Sequence, residues 1–255
     1  MEKGTMHETG TSAITKQSIF KKSLPHSCID FSSPEGKKVF SEALASGYME
    51  CFFKLSSQLR TQEDVAYSGL STLVMILNAF RLDPGKVWKG PWRWYHESML
   101  GCCTLSEVFQ EKGIDMVQFV CLAKYHGLHP KAVYNSEINS LDMLRKEVMQ
   151  ATRSEDVVLV ANYSRQKLDQ IGEGHFAPIG GYHASRDLVL ILDTARFIYP
   201  PHWVQLGALY KAMKTIDIES GTPRGFVLVT VAKQQPTPLI STWMNGCQCF
   251  HHRPP

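Results

Sequence analysis

No stretch of this chain is apolar for long enough to cross a bilayer; runs such as Val157–Ala161 and Leu188–Leu192 have the length of strands. Charge of one sign is also scarce. Twenty-seven Lys and Arg face 24 Asp and Glu, a net of +3 with no basic block, which excludes nucleic acid as the main partner. The N-terminal MEKGTMHETGTSAITKQS is polar and lacks the apolar core of a signal peptide. Internal repeats and low-complexity linkers are missing, and so is the two-to-four-residue cysteine spacing of a zinc site. The seven cysteines are an odd number, so with no secretion signal the expectation is a cytoplasmic protein with reduced thiols, no membrane contact and no disulfide scaffold. What the chain does have is apolar residues, 44% of 255, enough for one large domain.

The expected organisation is a leader over 1–22, a domain over 23–232, and a peripheral tail over 233–255 that holds Cys247, Cys249, His251 and His252. Ser33 as N-cap and Pro34 in the first turn open a helix that runs on through Lys37–Ala45. Leu70, Leu73, Val74, Leu77 and Phe80 recur with helical period from a start near Ser68 to a stop at Asp83-Pro-Gly85. Further helices are expected at Thr104–Lys112, Met116–His126, Leu141–Thr152 and Val204–Met213. Strands are expected at Val157–Tyr163, His175–Tyr182, Leu188–Asp193 and Phe226–Val231, where β-branched and aromatic residues gather. Helices first and strands later predict an α+β protein, a helical lobe packed on an antiparallel sheet. Trp88, Trp92 and Trp94 are expected to pack between lobes, and Cys102-Cys103 to be buried.

Chemistry concentrates at His175 and Asp193. Folding the chain back at His183–Arg186 makes a hairpin with both residues at its open end, within reach of an imidazole–carboxylate bond that fixes a tautomer and supports an imidazolium. Gly174, just before the histidine, permits close backbone approach. The same pattern also describes a surface hairpin with an incidental His. A nucleophile belongs at the first turn of the long apolar helix, where the dipole favours an anion. Ser68 stands there, and Gln62, six residues upstream, offers a side-chain amide to a developing oxyanion. Ser68 is equally a good N-cap.

Longer strings are more specific. Arg60-Thr-Gln62, Ala66-Tyr-Ser-Gly-Leu70, Asp83-Pro-Gly85, Trp88-Lys-Gly-Pro-Trp-Arg-Trp-Tyr95, Glu97-Ser-Met-Leu100, Gly174-His-Phe-Ala-Pro-Ile-Gly-Gly-Tyr-His183, Leu190-Ile-Leu-Asp-Thr-Ala-Arg-Phe197, Tyr199-Pro-Pro-His-Trp203 and Arg224-Gly-Phe226 resemble the N-terminal catalytic domain of the phytochelatin synthases. The likeness runs from about Ser23 to about Val231. It implies a papain-like fold and transfer of γ-Glu-Cys from one glutathione to another, or to a growing phytochelatin, with loss of glycine. It implies His175 as base, Asp193 as its orienting carboxylate and Gln62 as oxyanion donor. Asp217 and Arg224 match the γ-glutamyl-binding positions; an acid for the α-ammonium and a bidentate Arg for the α-carboxylate suit that ligand. Arg165, Arg196 and Tyr199 match positions near the acceptor side, although an Arg side chain is by default solvated surface charge.

The resemblance breaks at one position. Where the family has its nucleophilic Cys, in an A-Y-C-G-L context, this chain has Ser68. Losing a triad nucleophile costs about 10⁶ in a serine protease, so an inactive form is implied, introduced or natural. No catalytic cofactor or metal site is expected. Heavy metal such as cadmium or zinc enters as the thiolate complex of glutathione. The expected partners are glutathione and phytochelatins, with a homodimer left open. A glycine-clipping hydrolase and a non-catalytic metal-binding protein are the rival readings.

Overall fold

A computed structural model describes residues 22–100, 113–218 and 220–231. The expected helix at Thr104–Lys112, the Cys102-Cys103 pair, the leader apart from Lys22, and the whole tail lie outside those residues. Seven strands make one antiparallel sheet: β1 (Cys28–Asp30), β2 (Leu128–Tyr134), β3 (Val157–Ser164), β4 (Gly174–His183), β5 (Leu188–Ile191), β6 (His202–Gln205) and β7 (Gly225–Val231), in the order β1-β6-β5-β4-β3-β7-β2. Helices cover both faces. On one lie α1 (Pro34–Ala45), α2 (Glu50–Ser56), α3 (Ser68–Ala79) and α4 (Met116–Tyr125); on the other, α5 (Leu141–Thr152) and α6 (Leu206–Met213). This is the expected α+β class, with the first four helices as the helical lobe and a thinner second layer behind the sheet.

Two covered faces explain why the central strands read as unbroken apolar runs rather than alternations. In β3, Val158 and Val160 enter one core and Leu159, Ala161 and Tyr163 the other. The same reasoning fits α3, which is buried along its whole length and apolar nearly all round. Local chemistry sets the helix starts. Ser33 Oγ accepts from the Gly36 N–H at 2.9 Å, as the sequence predicts. Asp115 and Gln118 close a reciprocal capping box at α4.

The expected hairpin forms, but not with its two ends directly opposed. β4 pairs with β5 through His183↔Leu188 to Ile179↔Ile191, with an irregularity between Ile179 and Gly181, and β5 stops two residues short of Asp193. Four further elements, β1, β2, β6 and α2, differ from the sequence reading. Pro130 hid β2, which tolerates it because that strand is an edge of the sheet. The helix expected from Val204 starts at Leu206, because His202–Gln205 pairs with both β1 and β5.

Two expectations are corrected. The tryptophans do not pack between lobes: Trp88, Trp92 and Trp94 are exposed, Trp92 by 71%. Their loop closes on itself through Lys89-Gly90-Pro91, with the Trp88 N–H donating to Trp92 O at 2.8 Å and the Lys89 ammonium 4.6 Å from the Trp88 ring. Nor are all thiols reduced. Cys28 and Cys51 are free, but Cys121 is disulfide-bonded. Parity constrains only the whole set, so one bridge is compatible with seven cysteines. Among the described residues no helix is long and apolar enough to cross a membrane.

Because α3 fills the core on every side, truncating it leaves a cavity that cannot collapse. Leu73, fully buried, gives a direct test: Leu73→Ala should lower unfolding free energy by about 2–5 kcal/mol in urea titration. An unchanged midpoint would contradict the packing described here.

Candidate active site

The site forms where the start of α3 meets the start of β4. Tyr67, not Ser68, is the N-cap of α3, and no side chain caps the helix. Ser68 is the first helical residue, and its Oγ accepts instead from the Phe176 N–H at 3.2 Å, one residue after His175. The N-cap alternative for Ser68 is therefore not what the fold uses. Uncapped first-turn N–H groups make this helix end a ready donor surface for negative charge. Gly69 lets the helix come so close: a Cβ there would lie 2.5 Å from Ile114 Cγ1 and 3.2 Å from the Phe176 ring.

His175 and Asp193 are joined as the hairpin predicts. Nε2 lies 2.9 Å from Asp193 Oδ1, with both side chains buried. The carboxylate reaches the ring diagonally, two residues off the cross-strand position. Asp193 Oδ1 also accepts from the Ala195 N–H at 2.8 Å. A second cation shares the carboxylate. Arg165, only 3% exposed, places Nη2 2.9 and 2.8 Å from the two Asp193 oxygens and 3.0 Å from His175 Nε2. Its Nη1 donates to Gln170 Oε1 at 3.0 Å, and Gln170 in turn lies 2.8 Å from His202 Nε2.

This crowding sets the charges. Burial pushes the His175 imidazole down to about 4, and Arg165 adds to the fall against the pull of Asp193. Burial alone would raise the Asp193 carboxyl; the bond from His175 Nε2 and the charge and bonds of Arg165 outweigh it and hold it well below the ordinary range. The ring is thus neutral at pH 7, and Arg165 is the cation that balances Asp193. With Nε2–H directed at Asp193, the ring's proton-accepting nitrogen is Nδ1.

Asp217 and Arg224 come together beside this pair. Arg224 Nη1 lies 2.9 Å from Asp217 Oδ2 and 3.3 Å from Asn162 Oδ1. Gly174 leaves room for them, since a Cβ there would sit 2.4 Å from Arg224 Nη1 and 3.0 Å from Asp217 Oδ2. The predicted γ-glutamyl residues therefore adjoin the predicted base through one glycine. Gln62 is buried nearby, but its amide is committed: Nε2 donates to Asp64 O at 2.8 Å and Val65 O at 3.0 Å, and Oε1 accepts from Thr194 Oγ1 at 3.0 Å. It ties the segment before α3 to the residue after Asp193; donation to an oxyanion requires one of those carbonyl bonds to be exchanged.

The three acceptor-side residues separate. Arg165 is not solvated surface charge but the innermost cation of the site. Tyr199 is buried beside it, 5.5 Å from ring centroid to guanidinium, with its OH accepting from the Ile171 N–H at 3.0 Å. Arg196 is exposed, and no hydrogen bond joins it to the others. Sequence reasoning missed Thr194, Gln170, Asn162 and His202, neutral side chains that no spacing marks. Among the described residues no group of three His, Cys, Asp or Glu is placed to hold a metal ion.

Ser68, at the start of a helix, thus bonds the strand backbone one residue after a histidine that is paired with a buried aspartate. Comparison with known proteins places the chain in a family. The phytochelatin synthase family model matches residues 19–226. Glutathione gamma-glutamylcysteinyltransferase 3 of Lotus japonicus is 49% identical over 224 residues, covering 88% of this chain and 47% of that protein. The enzyme numbered 1 from Arabidopsis thaliana is 50% identical, covering 86% and 45%, and that of Schizosaccharomyces pombe 43%, covering 84% and 51%. The chain spans about half the length of the curated relatives it matches. A solved double glycine motif protease from an AMS/PCAT transporter, in complex with the leader peptide, is 14% identical at TM-score 0.34, covering 68% of this chain and 90% of that one; so distant a likeness bears on neither fold nor activity. A model match over most of the length and relatives 43–50% identical leave one conclusion: the chain belongs to the phytochelatin synthase family.

Proposed function

We propose that this chain is built to bind glutathione and to transfer its γ-Glu-Cys unit to a second glutathione or a growing phytochelatin, with release of glycine. One observation carries the reading: Ser68 bonds the backbone one residue after His175, and the Asp217–Arg224 pair lies against Gly174, one residue before it, so an acyl donor held by its γ-glutamyl end would meet position 68 and the base together. Asp217 takes the α-ammonium and Arg224 the α-carboxylate of the donor. A nucleophile at 68 attacks the Cys–Gly carbonyl while His175 Nδ1 takes its proton, and the first-turn N–H groups of α3 face the developing oxyanion. His175 returns the proton to the leaving glycine amine, and the α-amine of the acceptor then attacks the acyl-enzyme, freeing position 68. Cadmium or zinc arrives as the glutathione thiolate complex, as substrate. The setting we propose is cytoplasmic.

Ser68 handicaps this cycle. A hydroxyl does not ionise near neutrality as a thiol can, and the neutral His175 supplies no resting imidazolium to assist it. The chain should therefore release little or no glycine from glutathione. Ser68→Cys should create release, by several orders of magnitude, and Ser68→Ala should not. Chromatography of the products separates the outcomes: γ-Glu-Cys oligomers support transfer, γ-Glu-Cys alone means hydrolysis, and no product from the Ser68→Cys form with cadmium present sinks the reading.

The charge arrangement makes its own prediction. Arg165→Met removes the cation 3.0 Å from His175 Nε2 and leaves Asp193 to the imidazole alone. The histidine should then titrate well above about 4. An NMR titration of the His175 ring that shows no upward shift would refute the account of its neutrality.

A further inference from the structure

Glu97 is a buried carboxylate that the mechanism above does not use. It opens a short helical turn (Glu97–Met99) after the tryptophan loop, and its side chain is 1% exposed. One oxygen bonds the Ser71 hydroxyl; the other lies 3.2 Å from Arg60 Nη2. Ser71 stands one turn beyond Ser68 on α3. Arg60 stands two residues before Gln62, on the segment that leads into α3.

We infer that Glu97 is a positioning residue for this site: by bridging Arg60 to Ser71 it sets the distance between the segment that carries Gln62 and the helix turn that carries position 68. The inference rests on the reading of position 68 as the nucleophile's place.

The bridge is poorly suited to a purely structural role. The Arg60–Glu97 contact is close but not aligned as a hydrogen bond, and both Arg60 Nε and Glu97 Oε2 are buried without a hydrogen-bond partner among the described residues. Unsatisfied buried polar atoms cost stability, and each one in a folded protein calls for an explanation. Burial pushes the Glu97 carboxyl up to about 7, with Arg60 opposing and Glu63 reinforcing the rise. The titratable and charged groups that face it among the described residues are Arg60, Glu63 and Tyr67 of the segment before α3. From α3 it meets only the Ser71 hydroxyl, and its own neighbour His96 is turned to Glu63 at 2.8 Å. When ionised, Glu97 draws Arg60 in; when protonated, it keeps Ser71 and loses its hold on the guanidinium. The spacing therefore tightens as pH rises through neutrality.

The sign for stability is opposite. A carboxyl raised from its ordinary 4.5 to about 7 in the fold binds its proton more tightly when folded, so it costs stability as pH rises across that window. Glu97→Gln keeps the bond to Ser71, removes the charge, and should raise Tm at pH 8 more than at pH 5. A residue kept only for stability would not show that gain.

The test uses the full chain with Ser68→Cys. Adding Glu97→Gln should lower kcat for glycine release about tenfold with KM for glutathione changed less than about twofold, since the Asp217–Arg224 pair is untouched. It should also abolish the rise in rate across pH 7. Arg60→Met should do the same, and the Glu97→Gln/Arg60→Met pair should lose no more than either alone. Alkylation of the introduced thiol by iodoacetamide, located by mass spectrometry, gives a readout that needs no turnover: the same variants should slow it about tenfold and flatten its pH profile. If the Ser68→Cys form releases no glycine, the proposed function fails while the alkylation rates still decide the role of Glu97. Unchanged kcat, alkylation rate and pH profile in Glu97→Gln, or in Arg60→Met should the first variant not fold, would overturn the inference, as would a fall in Tm with no kinetic change.

Discussion

Everything in the site hangs on one buried carboxylate. Asp193 is fully buried and accepts from Arg165 through both oxygens, from His175 and from the Ala195 N–H. A carboxylate that far from water survives only if its lone pairs are taken and its charge is balanced. Arg165 balances it, and that choice has a consequence. Burial disfavours an imidazolium, and a carboxylate already neutralised by a guanidinium has little field left to favour one, so His175 rests neutral. Removing either member of the ion pair leaves the other stranded, which in buried pairs costs about 3–5 kcal/mol. Fold and chemistry therefore share the same bond.

The surrounding architecture serves to bring α3 against β4. A helix lies this close to a strand only where side chains are absent or small, and glycines stand at the critical places. Gly69 sits under Phe176, and Gly174 under the Asp217–Arg224 pair. The irregularity in β4 near Gly181 then carries the strand past Met49, the N-cap residue of α2. Gln62 closes the arrangement from the other side, by joining the segment before α3 to Thr194. Two segments 132 residues apart in sequence are thus held by one amide.

What was legible in the sequence follows from which signals are local. Ser33-Pro34 marked a helix start because capping involves four neighbouring residues, and α3 was readable from the helical period of Leu70, Leu73, Val74 and Leu77. His175 and Asp193 were legible as a pair because a tight turn at His183–Arg186 forces the two strands together. Pairings made across the fold were not legible. β1 and β6 are short strands whose status depends on each other, and Pro130 disguises β2 until its place at the sheet edge is known. The electrostatic role of Arg165 belongs to the same class. An arginine in sequence looks like surface charge, and only the ladder that sets Tyr163 opposite His175 and Ser164 opposite Gly174 carries the next residue into the buried site beside His175. Asp217 and Arg224 were placed by family resemblance, and the fold supplies the reason: the 216–223 bridge folds the acid back onto the arginine.

The division of labour in this site bears on the serine at position 68. Negative charge at that position is favoured by fixed backbone groups, the Phe176 N–H at 3.2 Å and the uncapped first turn of α3. These act on whatever atom stands there. A thiol, whose ordinary pKa is within a few units of neutrality, can be ionised by them while His175 stays neutral. A hydroxyl cannot; for serine the same dipoles help only once the proton is already leaving, and the burden passes to His175, whose basicity Arg165 and burial have lowered. On the proposed reading of position 68, the electrostatics of the site therefore favour sulfur over oxygen. On that reading serine keeps the bond from the Phe176 N–H and lacks the one property, an accessible anion, that the buried guanidinium would leave a nucleophile itself to supply.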